Sequence, residues 1–285
     1  MNRENKDKVI RAMADDGSFR VIVMNTSSTC YELCKRQGAT GELANQFAEL
    51  LTGTIIVRET MAPWLRAQAI ATNKDRKDRL VADVYPDGSN RGLLQRNGNA
   101  SFSFGEGSLL QVMRGLPNGQ THEGIVDIST KQTISEAFMG YMQSSEQVNS
   151  VIRIAAQHDG NEILHAGGYI VQLLPEATRE AHMIMTERLD DFPSIEKIWV
   201  QEEEWIDLLL DEILYGMPYT RLDESSLRFG CQCSEARVFG SLATLDKETI
   251  SKIIEDEKLV EVGCDYCGET YRIAPEKLRS LLHSN

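Results

Sequence analysis

Near the carboxyl end of the chain, four cysteines stand as two close pairs, Cys231-Gln232-Cys233 and Cys264-Asp265-Tyr266-Cys267, separated by residues 234–263. Thiolates are soft anionic donors, and two pairs presented from two tight turns suit a tetrahedral zinc ion. Gly230, Gly263 and Gly268 flank the pairs, where the chain must turn sharply and backbone N–H groups can approach sulfur. Between the pairs, DKETISKII reads as a helix that folds back and brings them together. Chance buried thiols and structural disulfides are the other readings of the same four residues.

Four protein ligands fill a tetrahedral site, leaving no position for water or substrate, so the expected role is structural or regulatory and not catalytic. Cys-x-Cys is tighter than the two-residue spacing usual in zinc ribbons. A metal keeps all four sulfurs as thiolate, the form that oxidants attack, so redox sensing is chemistry this set could perform. A module spanning 231–285 is too small to rest on apolar burial alone. Structural zinc contributes about 10–16 kcal/mol to the folding of small sites, against about 5–15 kcal/mol for a whole domain. Converting the ligands to disulfides should therefore unfold the module.

The elements that must present these residues are read from periodicity and turn chemistry. DKVIRAMAD, residues 7–15, brings Val9, Ile10 and Met13 to one helical face and predicts a short helix ended by DDG, and RVIVMNT predicts a strand. TSSTCYELCKRQG has no clear period; its Cys30 and Cys34 read either as small residues near a helix face or as a further redox pair. Leu43, Phe47, Leu50, Leu51 and Ile55 predict a helix from Glu42 to Met61 buried on much of its circumference. LVADVYPDGSNRGLLQ and SLLQVMRGLPNGQTHEGIVDI predict antiparallel hairpins about Pro-Asp-Gly and Pro117-Asn118-Gly119, and GEGS at Gly105 reads as a turn. ISEAFMGYMQSSEQ predicts a helix, and VNSVIRIAAQ and GGYIVQLLP two more strands. The expected fold is α+β: a core of antiparallel β-hairpins packed with helices over 1–178, an acidic helical linker over 179–230, and a small zinc-binding domain over 231–285. In the linker, Glu202, Glu203, Glu204, Asp207, Asp211 and Glu212 surround Trp199, Ile206, Leu209, Leu210, Ile213 and Leu214. Such a helix needs an apolar surface to lie on, permanently or conditionally, and Gly216 and Pro218 punctuate the chain after it.

Composition narrows the function classes. Thirty basic against forty-three acidic residues give a formal charge of −13, which repels phosphate backbones and anionic headgroups, so neither nucleic acid nor membrane is an expected partner. No stretch approaches the ~20 apolar residues of a membrane span, and the opening MNRENKDKVIRAMADDG has no apolar run after its charges, so a cytoplasmic protein is expected. The five histidines are scattered, and no His-Glu-x-x-His, Gly-x-Ser-x-Gly or phosphate-cradling glycine loop occurs, which argues against an enzyme. His122 and His165 read as surface or hydrogen-bonded residues.

The run Cys231-Gln232-Cys233-Ser234-Glu235-Ala236-Arg237, followed by Cys264-Asp265-Tyr266-Cys267-Gly268 and Tyr271, resembles the heat-shock protein 33 family of redox-regulated chaperones. Asp87-Gly88 with Arg91-Gly92, GEGSLLQV, Glu123-Gly124, Tyr141-Met142 with Ser145-Glu146-Gln147, and AGGYIVQLLPEA follow in the family's order. The resemblance implies an ATP-independent holdase that is inactive while reduced and zinc-bound. Hypochlorous acid, or peroxide with unfolding stress, would join Cys231 to Cys233 and Cys264 to Cys267, expel the zinc and unfold the linker. The oxidised form would dimerise and hold unfolding or oxidatively damaged client proteins on exposed apolar surface. A constitutive zinc-ribbon adaptor without redox switching is the alternative.

Overall fold

The computed structural model describes residues 6–97, 104–128, 133–199, 205–255 and 259–283. Its fold is α+β, and the chain divides into two compact units, Met1–Gly230 and Cys231–Asn285.

In the first unit the elements are β1 (Lys8–Ala14), β2 (Phe19–Asn25), α1 (Ser27–Gln37), α2 (Glu42–Glu59), β3 (Ala67–Thr72), β4 (Arg79–Val84), β5 (Ser89–Gln95), β6 (Ser108–Gly115), β7 (Thr121–Ile128), α3 (Ile134–Tyr141), β8 (Ser150–Asp159) and β9 (Glu162–Leu173). A π-helical turn, Met142–Glu146, extends α3. After β9 come α4 (Arg179–Asp191), α5 (Ile195–Trp199), α6 (Trp205–Ile213), β10 (Tyr219–Ser226) and β11 (Arg228–Phe229). One sheet has the order β10-β1-β2-β9-β8 and is antiparallel throughout. The other has the order β11-β5-β4-β3-β6-β7, antiparallel except where β11 joins β5 in parallel.

Residues 7–15 form a strand and not the helix that the spacing predicts. Ile10, Ala12 and Ala14 bury on one face of the first sheet, whereas Val9 buries in the core on the other. A strand covered on both faces loses its alternation, so Val9, Ile10 and Met13 satisfy a helical period equally well. DDG is the β1–β2 turn: Gly17 takes φ +73°, and the Asp16 carboxylate accepts from the Ser18 N–H at 2.9 Å.

The hairpins about Gly88 and Gly119 form as expected, with left-handed φ of +75° and +81° at the two glycines. GEGS is a turn closed by the Ser108 N–H on the Gly105 carbonyl at 2.9 Å. The helix expected from Glu42 is α2, and it packs against β8 and β9 of one sheet and β3, β4 and β5 of the other. This position between layers explains why its apolar residues run almost all round, with Phe47, Leu50, Leu51 and Ile55 at 0% exposure. At Gly53 an added Cβ would lie 2.1 Å from the Phe138 ring, so the missing side chain is what lets α3 approach.

The stretch over 179–230 begins helical, but 219–229 is β10 and β11, extending one sheet each; the expectation of a helical linker fails there. Its helices cover the face of the five-stranded sheet that points away from α2. Trp205, Ile206, Leu209, Leu210 and Ile213 bury against Ile10, Val21, Val23, Tyr169 and Val171. The seat is cut by Gly167, whose added Cβ would lie 2.5 Å from the Trp205 ring and 2.6 Å from the Met24 carbonyl oxygen. Trp199 meets Trp205 edge-on at 5.9 Å and stacks on His165 at 5.4 Å, so that histidine packs against the helices. Glu202, Glu203 and Glu204 lie outside the described residues.

In the second unit, α7 (Glu235–Leu242) and α8 (Lys247–Glu255) are followed by the hairpin β12 (Val260–Gly263) and β13 (Thr270–Ile273) and by α9 (Pro275–His283). DKETISKII is α8, as its spacing predicts. Among the described residues the core here is Ile250, Ile273 and Leu278, with Val238, Phe239 and Leu242 half-buried beside it. So small a core motivates a cross-link.

Candidate metal centre

Cys231 and Cys233 lie immediately before α7. Ser234 is the N-cap of that helix, its hydroxyl accepting from the Arg237 N–H at 3.3 Å, which places Cys233 beside the positive end of the helix dipole. Cys264 and Cys267 stand in the β12–β13 turn. There the Cys264 N–H donates to the Glu269 carbonyl at 2.8 Å, and the N–H groups of Cys267 and Gly268 donate back to the Cys264 carbonyl at 3.3 and 2.8 Å. Gly268 takes φ +75°, a conformation open to glycine at little cost, and this reverses the chain so that both sulfurs leave the turn on one side.

The two turns converge. Cys231 Sγ lies 3.7 Å from Cys264 Sγ, Cys233 Sγ lies 3.4 Å from Cys267 Sγ, and all four sulfurs are within 4.8 Å of one another. Thiolates about 2.3 Å from a central ion at tetrahedral angles are separated by about 3.8 Å, so this sulfur cage has the right dimensions for one. Burial pushes the Cys233 and Cys267 thiols above their ordinary range; at Cys233 the Tyr271 hydroxyl and the Cys267 sulfur oppose the rise while Cys231 and Cys264 add to it, and at Cys267 the Glu269 N–H opposes it while the other three sulfurs add to it. Four thiolates in this volume need a cation to neutralise them, and the donor set fits one. Spacing did not disclose the Tyr271 hydroxyl on β13, which donates to Cys233 Sγ at 3.0 Å and steadies that sulfur.

Cys30 and Cys34 stand one turn apart on α1, at 0% and 2% exposure in the first unit's core. Their thiols face Thr26 Oγ1 and the Ala44 and Ala48 carbonyl oxygens at 3.6–3.7 Å. Burial pushes Cys30 up to about 12 and Cys34 well above its ordinary value. At pH 8 a thiol of pKa near 12 is about one part in ten thousand thiolate, so both serve as small core residues. In native reduced protein at pH 8, a thiol-reactive dye should leave Cys30 and Cys34 unlabelled until denaturant is added. Mass-spectrometric mapping checks this, and labelling as fast as that of an exposed thiol would refute the assignment.

The model of the Hsp33 protein family matches residues 7–274, spanning both units and all four cage cysteines. The chain belongs to the Hsp33 family. Its similarity to named members covers nearly the whole sequence. A 33 kDa chaperonin of Clostridium beijerinckii is 28% identical, over 98% of this chain and 99% of the relative, and one of Syntrophotalea carbinolica is 25% identical, over 97% and 99%. The crystal structure of the 33 kDa chaperonin (heat shock protein 33 homolog) of Thermotoga maritima shares the fold with a TM-score of 0.82 at 21% identity, over 97% of this chain and 98% of that one. Among the described residues of this Hsp33-family chain, no helix is long and apolar enough to cross a membrane.

Proposed function

We propose that this chain is a cytoplasmic, ATP-independent holdase chaperone that is silent when reduced and is switched on by oxidation. The single observation behind this reading is the convergence of four sulfurs, from two turns, into a cage of zinc dimensions within a unit whose own core is small. Cys231, Cys233, Cys264 and Cys267 would hold one Zn2+, which supplies positive charge and a four-way cross-link. An oxidant such as hypochlorous acid or peroxide takes two electrons from each pair of thiolates as a disulfide forms between them. Sulfurs 3.7 and 3.4 Å apart face each other across the pairs, and a link from Cys231 to Cys233 or from Cys264 to Cys267 spans one or two residues. The pairing within each motif is the one that the resemblance to the Hsp33 family implies, and the one we assign.

With its ligand set consumed, the 231–285 unit would unfold, and the 179–230 segment would leave the sheet face it covers. Val21, Val23, Tyr169 and Val171 would then join an apolar surface suited to holding the unfolding clients of the 1–178 core, and the oxidised chains would pair as homodimers. Metal release, followed with a chromogenic chelator while oxidant is added, is expected to coincide with loss of helical signal and with suppressed light scattering from a heat-unfolding client. Release without suppression would sink the holdase reading and leave an adaptor. Peptide mapping that found Cys231 joined to Cys264 would sink the pairing.

A further inference from the structure

α4 is held to its sheet by very little. Of its 13 residues only Met185 and Leu189, one turn apart, are buried, joining Phe19 and Val171 in the apolar cluster beneath the helix. By contrast, α6 on the same face buries Trp205, Ile206, Leu209, Leu210 and Ile213 out of 9 residues. The remaining support of α4 is thin: Ala181 and, just past the helix, Phe192 pack half-buried, and Arg188 Nη1 donates to the Ile213 carbonyl at 2.8 Å. That bond makes α4 a cap for α6, because a terminal helix carbonyl has no partner within its own helix.

One of the two anchors can be oxidised. A thioether sulfur carries a lone pair that leucine lacks, and burial ordinarily shields it from oxidants. Met24 and Met142, at 0% and 1% exposure, are shielded in this way inside the first core. Met185 is hardly more exposed, at 3%, but it lines a cavity of about 680 Å³ that opens to solvent between α3 and α4. We propose that Met185 is a further oxidation site, reached by hypochlorous acid through this cavity, and that its sulfoxide unseats α4 independently of the four cage cysteines. The sulfur gives its electron pair to the chlorine of hypochlorous acid, and water then replaces chlorine at sulfur. The sulfoxide oxygen thus comes from water, and one chloride and, net, one proton are released as sulfur loses two electrons and chlorine gains them. The product is polar and needs a hydrogen-bond donor. Phe19, Val171 and Leu189 offer none, so the oxygen turns into the cavity to meet water and draws the side chain off its seat. With one anchor of two lost, α4 lifts and Arg188 withdraws from the Ile213 carbonyl. The consequence for clients rests on the chaperone reading: oxidation at Met185 would loosen the 179–230 segment before any disulfide forms. The sulfoxide and the loosened helix do not rest on it.

The test uses the full-length, zinc-loaded protein. It is treated with hypochlorous acid, its thiols are restored with dithiothreitol and zinc is resupplied; methionine sulfoxide survives this reduction and is reversed by methionine sulfoxide reductase. Peptide mapping by mass spectrometry takes Met183, 53% exposed on the same helix, as the internal reference. Met185 is expected to oxidise within about tenfold of the Met183 rate, with Met24 and Met142 far behind. A Met185 that lags with Met24 overturns the proposed access. Amide exchange across α4 should speed up at least about tenfold in the sulfoxide-bearing protein, return to its starting rate after the reductase, and stay unchanged in oxidised Met185→Leu, which keeps Met183 and fills the seat. Unchanged exchange, failure of the reductase to restore it, or equal loosening in the leucine variant overturns the unseating. Suppression of client scattering by the oxidised, unreduced wild-type protein separates the two claims. If suppression occurs while α4 stays tight, only the sulfoxide proposal falls; if α4 loosens and suppression is absent, the chaperone reading falls and the sulfoxide stands.

Discussion

Replacing Cys264 with serine is expected to leave purified, reduced protein with far less than one metal ion per chain and with residues 231–285 unfolded. Three sulfurs remain, and the hydroxyl is a poor donor to a soft site. The coordination at stake is about 10–16 kcal/mol in small zinc modules, well above what three buried apolar side chains, at about 1.5–3 kcal/mol each, can replace. Elemental analysis reads the metal, and limited proteolysis reads the fold, with cleavage expected throughout the second unit and the 179–230 segment while residues 1–178 resist. The variant should also hold clients without oxidant. Tight, stoichiometric metal in Cys264→Ser would contradict the ligand assignment outright.

The second large effect lies far from the sulfurs. Glu59, at the end of α2, has a side chain only 4% exposed and is clasped by two guanidinium groups. Arg11 of β1 donates through Nε at 2.9 Å to one carboxylate oxygen and Arg58 through Nη1 at 2.9 Å to the other, while Arg20 Nη2 donates to the Glu59 carbonyl at 3.1 Å. Arg11 also reaches β10, at Ser225 Oγ at 2.9 Å and the Asp223 carboxylate at 3.3 Å. Glu59→Ala leaves the largely buried Arg11 and Arg58 without their shared anion, a situation that costs about 3–5 kcal/mol. Denaturant unfolding followed by tryptophan fluorescence should show that loss, together with faster amide exchange in β10. A change below about 1 kcal/mol would place the cluster among surface ion pairs of little weight.

What was legible in the sequence was local. Two cysteine pairs with glycines beside them disclose the cage because each turn is encoded within a few residues, and Pro-Asp-Gly and Pro-Asn-Gly disclose their hairpins for the same reason. The helix α2 was legible because a continuous apolar stripe has few other homes. What failed depended on partners distant in sequence. α1 has no side-chain cap of its own; the Asp7 carboxylate caps it from outside, accepting from the N–H groups of Ser28 and Thr29. β1 reads as a helix because both of its faces are covered. TRLDESS has no alternation, and it becomes a strand only by pairing with β1. The Tyr271 contact with sulfur follows from register across β12 and β13, which spacing does not encode.

Residues 219–229 lend one strand to each sheet, and the helices before them roof one of those sheets. A polypeptide that stopped at residue 178 would emerge from the ribosome with a bare ladder edge along Lys8–Ala14 and an unroofed greasy face beside it. Such a nascent intermediate is a natural aggregation seed, so this protein must itself be guarded during its own synthesis, until its last fifty-odd residues before the sulfur cage have been threaded back into place.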